Sequence, residues 1–224
     1  STDSESVEVR VGAGENWDGF VSWCCEGWLG GLENLSYIPG SVGAAPVQNI
    51  GAYGVELSSA ITSVECIDTK SGDKLIIARG DCKFEYRSSI FKTNKSLIIT
   101  YANFKLHNLK RNLKMNHVLD NNSSYKFKLS YGELAKLNTD AIDIMKVREA
   151  VISIRSAKLP DWHKVRNAGS FFNNPIIAIE DYKMLSDKLA SQYKISELPC
   201  YSYNGTSVKV PAGFLIDKLV NKKQ

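Results

Sequence analysis

The sequence has no apolar run of about 18 residues, the length that a membrane-spanning helix needs. It also lacks a charged and then apolar beginning, because the opening STDSESVEVRVG is polar and then alternates like a strand. Histidine is scarce, and the scattered positions of His107, His117 and His163 argue against a zinc site. We therefore expect a cytoplasmic protein without a membrane partner or a bound metal.

The sequence also lacks any CxxC pair, although it contains five cysteines. Cys24 and Cys25 are adjacent, which is a poor geometry for a disulfide between them. The odd count and the spacing indicate reduced thiols of a cytosolic protein. Apolar residues make up 43% of the chain and charged residues 23%, ordinary values that exclude a disordered chain. A length of 224 residues is typical of one large domain or two small ones.

Basic residues are in slight excess, with a formal net charge of +4. The densest basic stretch, residues 105–117 (KLHNLKRNLKMNH), could contact phosphates, but it has no interleaved aromatic residues. A solvated loop is the simpler interpretation, and we expect no nucleic-acid partner. A Rossmann dinucleotide fingerprint is also missing. Gly12 and Gly14 follow a predicted strand, but Trp17 occupies the position of the third glycine.

Periodicity predicts an α+β chain without internal repeats. Alternation and turn residues predict strands at residues 7–11, 64–68, 75–79, 97–106 and 126–129, with a hairpin at KSGDK. Helical spacing predicts one helix from residue 15 to the Gly30-Gly31 pair, whose tryptophans belong to the core, and another from about residue 139 through Ile154. After a boundary near residues 158–167, an apolar run at 176–179 leads into a third helix, and Pro211 suits the first turn of a fourth.

The glycine-rich segment, residues 31–57, reads GLENLSYIPGSVGAAPVQNIGAYGVEL. It is too apolar for a linker and too interrupted by glycine and proline for a regular element. A flat heteroaromatic ligand such as a flavin could approach its main chain and its amides at Gly40, Gly43, Gly51, Gly54, Gln48 and Asn49. A compact structural loop packed on the sheet explains the same composition, so the residues alone leave both interpretations open.

Three cations are candidates for binding an anion. Arg87 follows Tyr86 in FEYRSSIFK, and Arg155 and Lys158 are three residues apart in IRSAKLPD, on one helical face. Cations near the end of a helix favour its dipole, which is the structural explanation. A site for a diphosphate or a carboxylate is the functional alternative.

Ser170 lies in the unusual stretch NAGSFFNNP, between an alanine-glycine pair and two phenylalanines. Taken alone, this pattern indicates a loop serine that caps a turn beside buried aromatic rings. A ligand could also reach the hydroxyl across the small residues that precede it.

Several long motifs together resemble one family. The glycine-rich segment, YRSSIFK, YGEL, KLPD, NAGSFF and AGFLID occur in the order typical of the UDP-N-acetylenolpyruvoylglucosamine reductases, also called UDP-N-acetylmuramate dehydrogenases. The resemblance extends over about residues 9–219, and Tyr131 lies in a segment similar to the extra tyrosine-bearing loop of the first type. It implies an FAD-binding fold of the vanillyl-alcohol-oxidase or p-cresol-methylhydroxylase type. Residues 1–158 would form the second half of the FAD-binding region, and residues 159–224 an incomplete, N-terminal part of a substrate-binding α+β domain.

The resemblance also implies a reaction. Enzymes of this family bind FAD, take a hydride from NADPH and reduce UDP-N-acetylglucosamine enolpyruvate to UDP-N-acetylmuramate, a precursor of peptidoglycan. Arg87 matches the cation that stabilises the enolate, and Ser170 matches the general acid that protonates it. We expect a monomer. Two alternatives remain open: another FAD oxidoreductase on the same fold, and a non-catalytic module that binds a UDP-sugar or nucleotide.

The binding residues implied by the resemblance form two groups. The flavin would be contacted by Pro39, Gly40, Ser41, Gly43, Gln48, Asn49, Gly51, Tyr53 and Gly54, with Arg155 near its pyrimidine edge. The UDP-sugar would be contacted by Tyr86, Tyr131 and Asn174, with Lys158 at its diphosphate. The family has an earlier glycine-serine-rich loop for the FAD diphosphate, and a later catalytic glutamate and glutamine, that this sequence does not contain. We therefore expect the chain to be part of a longer protein.

Overall fold

A computed structural model gives the fold and describes residues 5–112, 124–137, 142–161, 164–165 and 172–220. Internal contacts divide the chain into two compact units, Ser1–Val165 and Arg166–Gln224. The division lies within residues 158–167, where the sequence predicts a boundary. Which ligand each unit binds stays a prediction.

An antiparallel sheet is the framework of the first unit. Its strands are β1 (Ser6–Gly12), β2 (Leu29–Gly30), β5 (Ile61–Asp68), β6 (Lys74–Ala78) and β7 (Leu97–Asn108). They are ordered β1-β7-β5-β6, and β2 also pairs with β7. The register is fixed by pairs such as Ser6 with His107 and Ile67 with Lys74. The strands predicted at residues 7–11 and 97–106 are confirmed, as is the hairpin at KSGDK.

The core of this unit lies between the sheet and α1 (Trp17–Glu26). Strand alternation buries Val64, Ala102 and Phe104 completely, because residues two apart share a face. Helix α1 presents Trp17 and Phe20 to them, and the Phe20 and Phe104 ring centroids are 5.1 Å apart. The Trp17 indole N–H donates to the carbonyl of Leu35 at 2.9 Å, so this tryptophan belongs to the core as predicted.

Cysteine burial agrees with the expectation of reduced thiols. All five cysteines are free, and only Cys200 is exposed. Burial raises the pKa of Cys24 to about 12, with a further contribution from nearby Glu33. Burial likewise raises the pKa of Cys25. These two adjacent thiols are therefore core side chains rather than nucleophiles at neutral pH.

Three sequence predictions for this unit are wrong. Helix α1 ends at Glu26 rather than at the Gly30-Gly31 pair, because Trp28 adopts a left-handed φ of 59° and the chain then pairs with β7. Residues 126–129 form no strand; side-chain contacts described below hold them. The basic stretch at 105–117 begins inside β7 and continues in a 3-10 helix, Leu109–Asn112, instead of forming a solvated loop. Residues 113–117 lie outside the described part.

Helix α3 (Ile144–Lys158) packs beside α1 through a partly buried ion pair. It begins later than the predicted residue 139, because the Asp143 carboxylate caps it by accepting from the Lys146 N–H at 2.8 Å. The Arg148 guanidinium donates to both Asp18 oxygens, at 2.7 and 3.0 Å. Asp18 also accepts from the Tyr37 N–H at 2.6 Å. Although burial opposes the charge, the Arg148 and Tyr37 hydrogen bonds lower the pKa of Asp18.

We expect Asp18→Asn to lower the free energy of unfolding at pH 7 by about 2–3 kcal/mol, because it leaves Arg148 buried without its counter-charge. A depressed folded-state pKa stabilises the fold above the unfolded pKa of Asp, about 4, and this contribution is lost as the pH falls through the folded value. The variant should therefore lose less stability than the wild type between pH 5 and 3. Urea unfolding at several pH values measures both effects.

The sheet supplies a matched control in the exposed pair of Arg10 and Glu65, which has the same two-point geometry at 2.7 and 2.8 Å. The Arg10 side chain is 52% exposed, against 9% for Arg148, so Arg10 remains solvated without its partner and Glu65→Gln should cost less at pH 7 than Asp18→Asn. Equal losses in the two variants would contradict a special role for the ion pair between α1 and α3.

The second unit is a three-stranded antiparallel sheet with two helices. Its elements are β8 (Ile176–Ala178), α4 (Ile179–Tyr193), β9 (Tyr201–Asn204), β10 (Ser207–Lys209) and α5 (Ala212–Leu219), and the strand order is β8-β10-β9. The apolar run leading into a helix and the final helix are confirmed. Pro211 precedes α5 instead of lying in its first turn. Leu189, Leu198 and Val210 are central to a small core.

Helix α3 and helix α4 have 15 residues each. Across the described ranges, no helix combines the length and the apolar character that crossing a bilayer requires. Within the same ranges, no three histidine, cysteine, aspartate or glutamate side chains cluster as metal ligands would.

Candidate functional site

The glycine-rich segment folds into tight turns around two short strands, β3 (Gly51–Ala52) and β4 (Val55–Glu56). Its backbone contains several non-glycine residues in the left-handed region: Tyr37 at φ 59°, Asn49 at 43° and Tyr53 at 47°. Arg87, which contacts this segment, has a φ of 55°. Such backbone angles are uncommon for large side chains and concentrate at binding sites, so they mark this region as a candidate site.

Arg87 is inserted into the turn that the segment makes at residues 49–51. Its guanidinium donates to the carbonyl oxygens of Asn49, at 3.2 Å, and Gly51, at 2.6 Å. Glu56 is 4.0 Å from the same group, and the Tyr86 ring centroid is 5.1 Å from Arg87 Cζ. A guanidinium has five N–H groups, and two of them donate to residues in the described part of the chain. Arg87 therefore keeps donors for an anion while it braces the turn.

Asn49 is the buried anchor of that turn. Its amide N–H groups donate to Glu56 and to the Glu85 carbonyl, both at 3.1 Å, and its oxygen accepts from the Ser58 N–H at 3.0 Å. The side chain is completely buried, so it gives Asn49 a structural role. A flavin contact by this residue stays a prediction.

Two glycines of the segment allow close packing within the protein. A Cβ on Gly43 would lie 2.6 Å from the Cβ of Ala13, and one on Gly51 would lie 2.8 Å from the Arg87 guanidinium. Any side chain at either position would therefore displace its neighbour. At Gly40, by contrast, a Cβ would have nothing within 4 Å. The main chain is consequently accessible there.

Tyr53 and Arg155 form the second part of the site. Arg155, from the last turn of α3, donates through Nε to the Tyr37 carbonyl at 2.8 Å and interacts electrostatically with the Tyr53 side chain. Burial is the main cause of the lowered pKa of Arg155, and burial also raises the pKa of Tyr53. Arg155 nevertheless stays a cation, because a guanidinium is not deprotonated in proteins, whereas burial favours the neutral phenol of Tyr53.

Tyr131 lies against Tyr53 from a separate part of the chain. Residues 124–137, called here the Tyr131 segment, run irregularly to a 3-10 helix, Gly132–Lys136. The Tyr53 and Tyr131 ring centroids are 6.3 Å apart with planes at 82°. Tyr53, predicted to contact the flavin, and Tyr131, predicted to contact the UDP-sugar, are thus in contact although they are far apart in sequence.

The other predicted residues are placed as follows. Pro39, Gly40, Gln48, Gly54 and Lys158 are exposed, and Ser41 caps a turn by accepting from the Ala44 N–H at 3.3 Å. In the second unit, the oxygen of Asn174 accepts from the Ala212 N–H at 2.9 Å and so caps α5. Ser170 lies outside the described residues. The structure brings together Arg87, Asn49 and Gly51 in one group and Tyr53, Arg155 and Tyr131 in another.

Sequence reasoning did not select Glu33 and Asn34, which lie in the 3-10 turn Glu33–Leu35 of the glycine-rich segment. Both side chains are buried, at 2% and 1% exposure. A signal was available in GLENL, because two polar residues between leucines predict either a surface turn or buried polar groups with defined partners.

The geometry of this region fits a flavin. The main chain is open at Gly40, and Gly54 is exposed beside Tyr131. A partly buried cation, Arg155, could face ring carbonyl oxygens. The buried Asn34 Oδ1 has no hydrogen-bond partner among the described residues, as expected where a donor from a ligand or water completes the site. Because FAD is a planar heteroaromatic group with both donors and acceptors, this set of groups can hold it.

Comparisons with known proteins also indicate a flavin-binding fold. The FAD binding domain family matches residues 1–76. The chain is 40% identical to UDP-N-acetylenolpyruvoylglucosamine reductase of Photobacterium profundum, covering 96% of this chain and 56% of the relative. The enzyme of the same name from Flavobacterium johnsoniae is 41% identical, with 96% and 60% covered. The chain thus spans somewhat more than half the length of these relatives.

A solved structure confirms the fold. The crystal structure of UDP-N-acetylenolpyruvylglucosamine reductase from Thermus caldophilus matches with a TM-score of 0.51 at 23% identity, covering 75% of this chain and 48% of that one. The predicted α+β, FAD-binding fold is confirmed, and it defines the class of the protein. Within this class, the sequence identities confirm the predicted resemblance: over 96% of its length the chain is similar to UDP-N-acetylenolpyruvoylglucosamine reductases.

Proposed function

We propose that the protein to which this chain belongs catalyses the NADPH-dependent, FAD-mediated reduction of UDP-N-acetylglucosamine enolpyruvate to UDP-N-acetylmuramate, a step of peptidoglycan precursor synthesis in the cytoplasm. The observation that carries the proposal is Arg87, a half-buried cation that the glycine-rich segment holds by two carbonyl groups. Homology to reductases of this name supports the substrate.

The reaction adds one hydride and one proton across the enolpyruvyl double bond. Bound FAD, which Arg155 and Tyr53 would hold, would supply the hydride after reduction by NADPH. Addition of a hydride to the vinyl carbon remote from the carboxylate leaves the electron pair of the double bond on the neighbouring carbon as an enolate. The chain's own residues must then stabilise this negative charge and deliver the proton. Overall, NADPH is oxidised to NADP⁺ and the proton donor regains its proton from solvent, so electrons and atoms balance.

Arg87 is the proposed enolate stabiliser. Its two bonds to the Asn49 and Gly51 carbonyls fix the guanidinium before the reaction, so little reorganisation is needed when charge develops. The left-handed backbone at Arg87 and at Asn49 is the local strain that this arrangement requires.

Ser170 is the proposed proton donor. A serine hydroxyl is a very weak acid, so it can act only where neighbouring groups stabilise the alkoxide that it leaves. The assignment is supported by the NAGSFF motif and by the chemical need for an acid, since Ser170 lies outside the described residues.

Binding roles follow from the same assignment. Arg155 and Tyr53 would hold the pyrimidine edge of the flavin, and the open main chain at Gly40 and Gly54 would face the ring. Tyr131 and Tyr86 would contact the UDP-sugar. The exposed Lys158, at the end of α3, would bind the diphosphate. Asn174 is a further predicted contact of the UDP-sugar.

Ligand binding provides the first test. We expect the purified protein to bind FAD with visible flavin absorbance, and we expect UDP-N-acetylglucosamine enolpyruvate to raise its melting temperature. A ligand at about 100 times its Kd stabilises the folded state by about 2.7 kcal/mol, which thermal unfolding detects. UDP provides a control for binding of the nucleotide part alone.

The outcomes separate the alternatives. A protein that binds flavin but gains no protection from the UDP-sugar would be another FAD oxidoreductase. Protection by the UDP-sugar without any flavin would indicate a non-catalytic binding module. Either result would refute the proposed reductase.

A further inference from the structure

The 3-10 turn Glu33–Leu35 carries two polar side chains that are almost completely buried. Glu33 is 2% exposed and Asn34 is 1% exposed. Burying a carboxylate or an amide is unfavourable unless hydrogen bonds replace those made with water. The partners of these side chains therefore show what the turn holds in place.

Asn34 joins two segments that are distant in sequence. Its amide nitrogen donates one hydrogen to the Tyr53 carbonyl at 2.9 Å and the other to the Lys128 carbonyl at 2.7 Å. Rotating the amide by half a turn would place its oxygen against two carbonyl oxygens, so the acceptors fix its orientation.

Glu33 holds the same segment at Tyr125, which precedes Lys128 in the sequence. Its carboxylate accepts from the Gly31 N–H at 2.8 Å and from the Tyr125 hydroxyl. The Tyr125 ring lies over Gly30, where a Cβ would come within 2.9 Å of the ring. The turn thus holds the Tyr131 segment at Tyr125 through Glu33 and at Lys128 through Asn34.

The two segments that Asn34 joins each carry one residue of the candidate site. Tyr53 contacts Arg155, Tyr131 contacts Tyr53, and their ring centroids are 6.3 Å apart. The position of one ring against the other depends on how the two backbones are held. The buried Asn34 amide connects those backbones by one hydrogen bond to each.

We propose that Asn34 is a positioning residue: through Tyr53 and Lys128 it aligns the flavin-facing turn with the Tyr131 segment that covers the UDP-sugar. This inference rests on the proposed function for the identity of the ligands. The coupling of the two segments rests on the hydrogen bonds alone. Asn34 acts through the backbones of Tyr53 and Lys128, to which its amide nitrogen donates.

Limited proteolysis tests the coupling without any ligand. Asn34→Asp keeps the shape of the side chain but replaces the donor nitrogen by an oxygen that faces two carbonyls. We expect trypsin to cleave this variant about tenfold faster after three exposed lysines, Lys126, Lys128 and Lys136. Losing a buried hydrogen bond raises the population of the opened, cleavable segment about tenfold.

Asn103→Asp is the matched control. The Asn103 amide also makes two donor bonds, to Ser63 at 3.1 Å and to Glu65 at 3.2 Å, but on the sheet. It should leave cleavage of the Tyr131 segment unchanged. Unchanged cleavage in Asn34→Asp, or equal acceleration in both variants, would overturn the coupling. If Asn34→Asp does not fold, Asn34→Ser removes the amide without adding a charge and is judged by the same cleavage ratio.

Steady-state kinetics then test the positioning role. In the FAD-loaded protein, we expect Asn34→Asp to raise KM for the UDP-sugar about tenfold, while the rate of flavin reduction by NADPH changes less than twofold. A purely structural defect would lower both half-reactions together and would overturn the positioning role. Absence of flavin binding in the wild type would refute the proposed function but leave the cleavage result, and with it the coupling, intact.

Discussion

Replacing Arg87 by alanine is expected to slow reduction of the enolpyruvyl sugar by about 10²- to 10³-fold, the usual effect of removing a preorganised stabiliser of an oxyanion. Reduction of the flavin by NADPH should keep most of its rate, because no enolate forms in that half-reaction. Stopped-flow measurement of the two half-reactions separates them.

Arg87 also holds the backbone at Asn49 and Gly51 by two hydrogen bonds, so its removal would also disturb the local structure. Two variants distinguish the effects. Arg87→Lys keeps the charge but cannot donate to both carbonyls with a planar fork, so it should restore part of the rate. Glu56→Gln changes the neighbouring carboxylate, 4.0 Å from Arg87, and should leave both half-reactions nearly intact. Equal damage to both half-reactions in Arg87→Ala would argue against enolate stabilisation.

Ser170→Ala is expected to have a comparable effect, slowing reduction of the UDP-sugar by about 10²- to 10⁴-fold with normal flavin reduction by NADPH. The physical reason is that the enolate carbon loses its positioned proton donor. Rapid-mixing experiments with the reduced protein and the UDP-sugar measure this step directly.

Ser170→Cys retains an ionisable proton at the same place, so it should recover part of the activity lost in Ser170→Ala. Ser156→Ala, an exposed serine on α3, serves as the control and should behave as wild type. If Ser170→Ala lost both half-reactions equally, Ser170 would be a structural residue, and the general-acid assignment would be refuted.

The sheet and most helices could be predicted because their patterns are local. Alternation of buried and exposed residues in β5 and β7 is visible in the sequence, and KSGDK marks the turn between β5 and β6. The same holds for α4 and α5, whose apolar residues recur at helical spacing. Each of these elements obtains its conformation from residues within one stretch of chain.

The wrong predictions concern residues whose conformation depends on distant partners. Residues 126–129 have the composition of a strand, but their backbone is held by the Asn34 amide and not by a neighbouring strand. Trp28 continues the helical spacing of α1, yet its backbone turns left-handed so that Leu29 can pair with β7. No local pattern encodes either contact.

The candidate site was predictable in part. The motifs selected Arg87, Tyr53, Arg155 and Tyr131, which the structure brings together in two groups. The buried polar partners were missed, although one signal existed. Arg148 shares the face of α3 that carries Ile144, Val147 and Val151, and a charged residue at such a position requires a buried partner.

Strand β7 has a consequence for how the protein is made. It is the last strand of its sheet in the sequence, yet it pairs with β1, β2 and β5. Ser6 therefore has no strand partner until His107 has been synthesised. Contacts between residues so far apart in sequence form slowly. During synthesis on the ribosome, the first strand emerges long before its neighbour, with β1 and one edge of β5 open to unwanted pairing. The sheet can be completed only once residue 108 has left the exit tunnel.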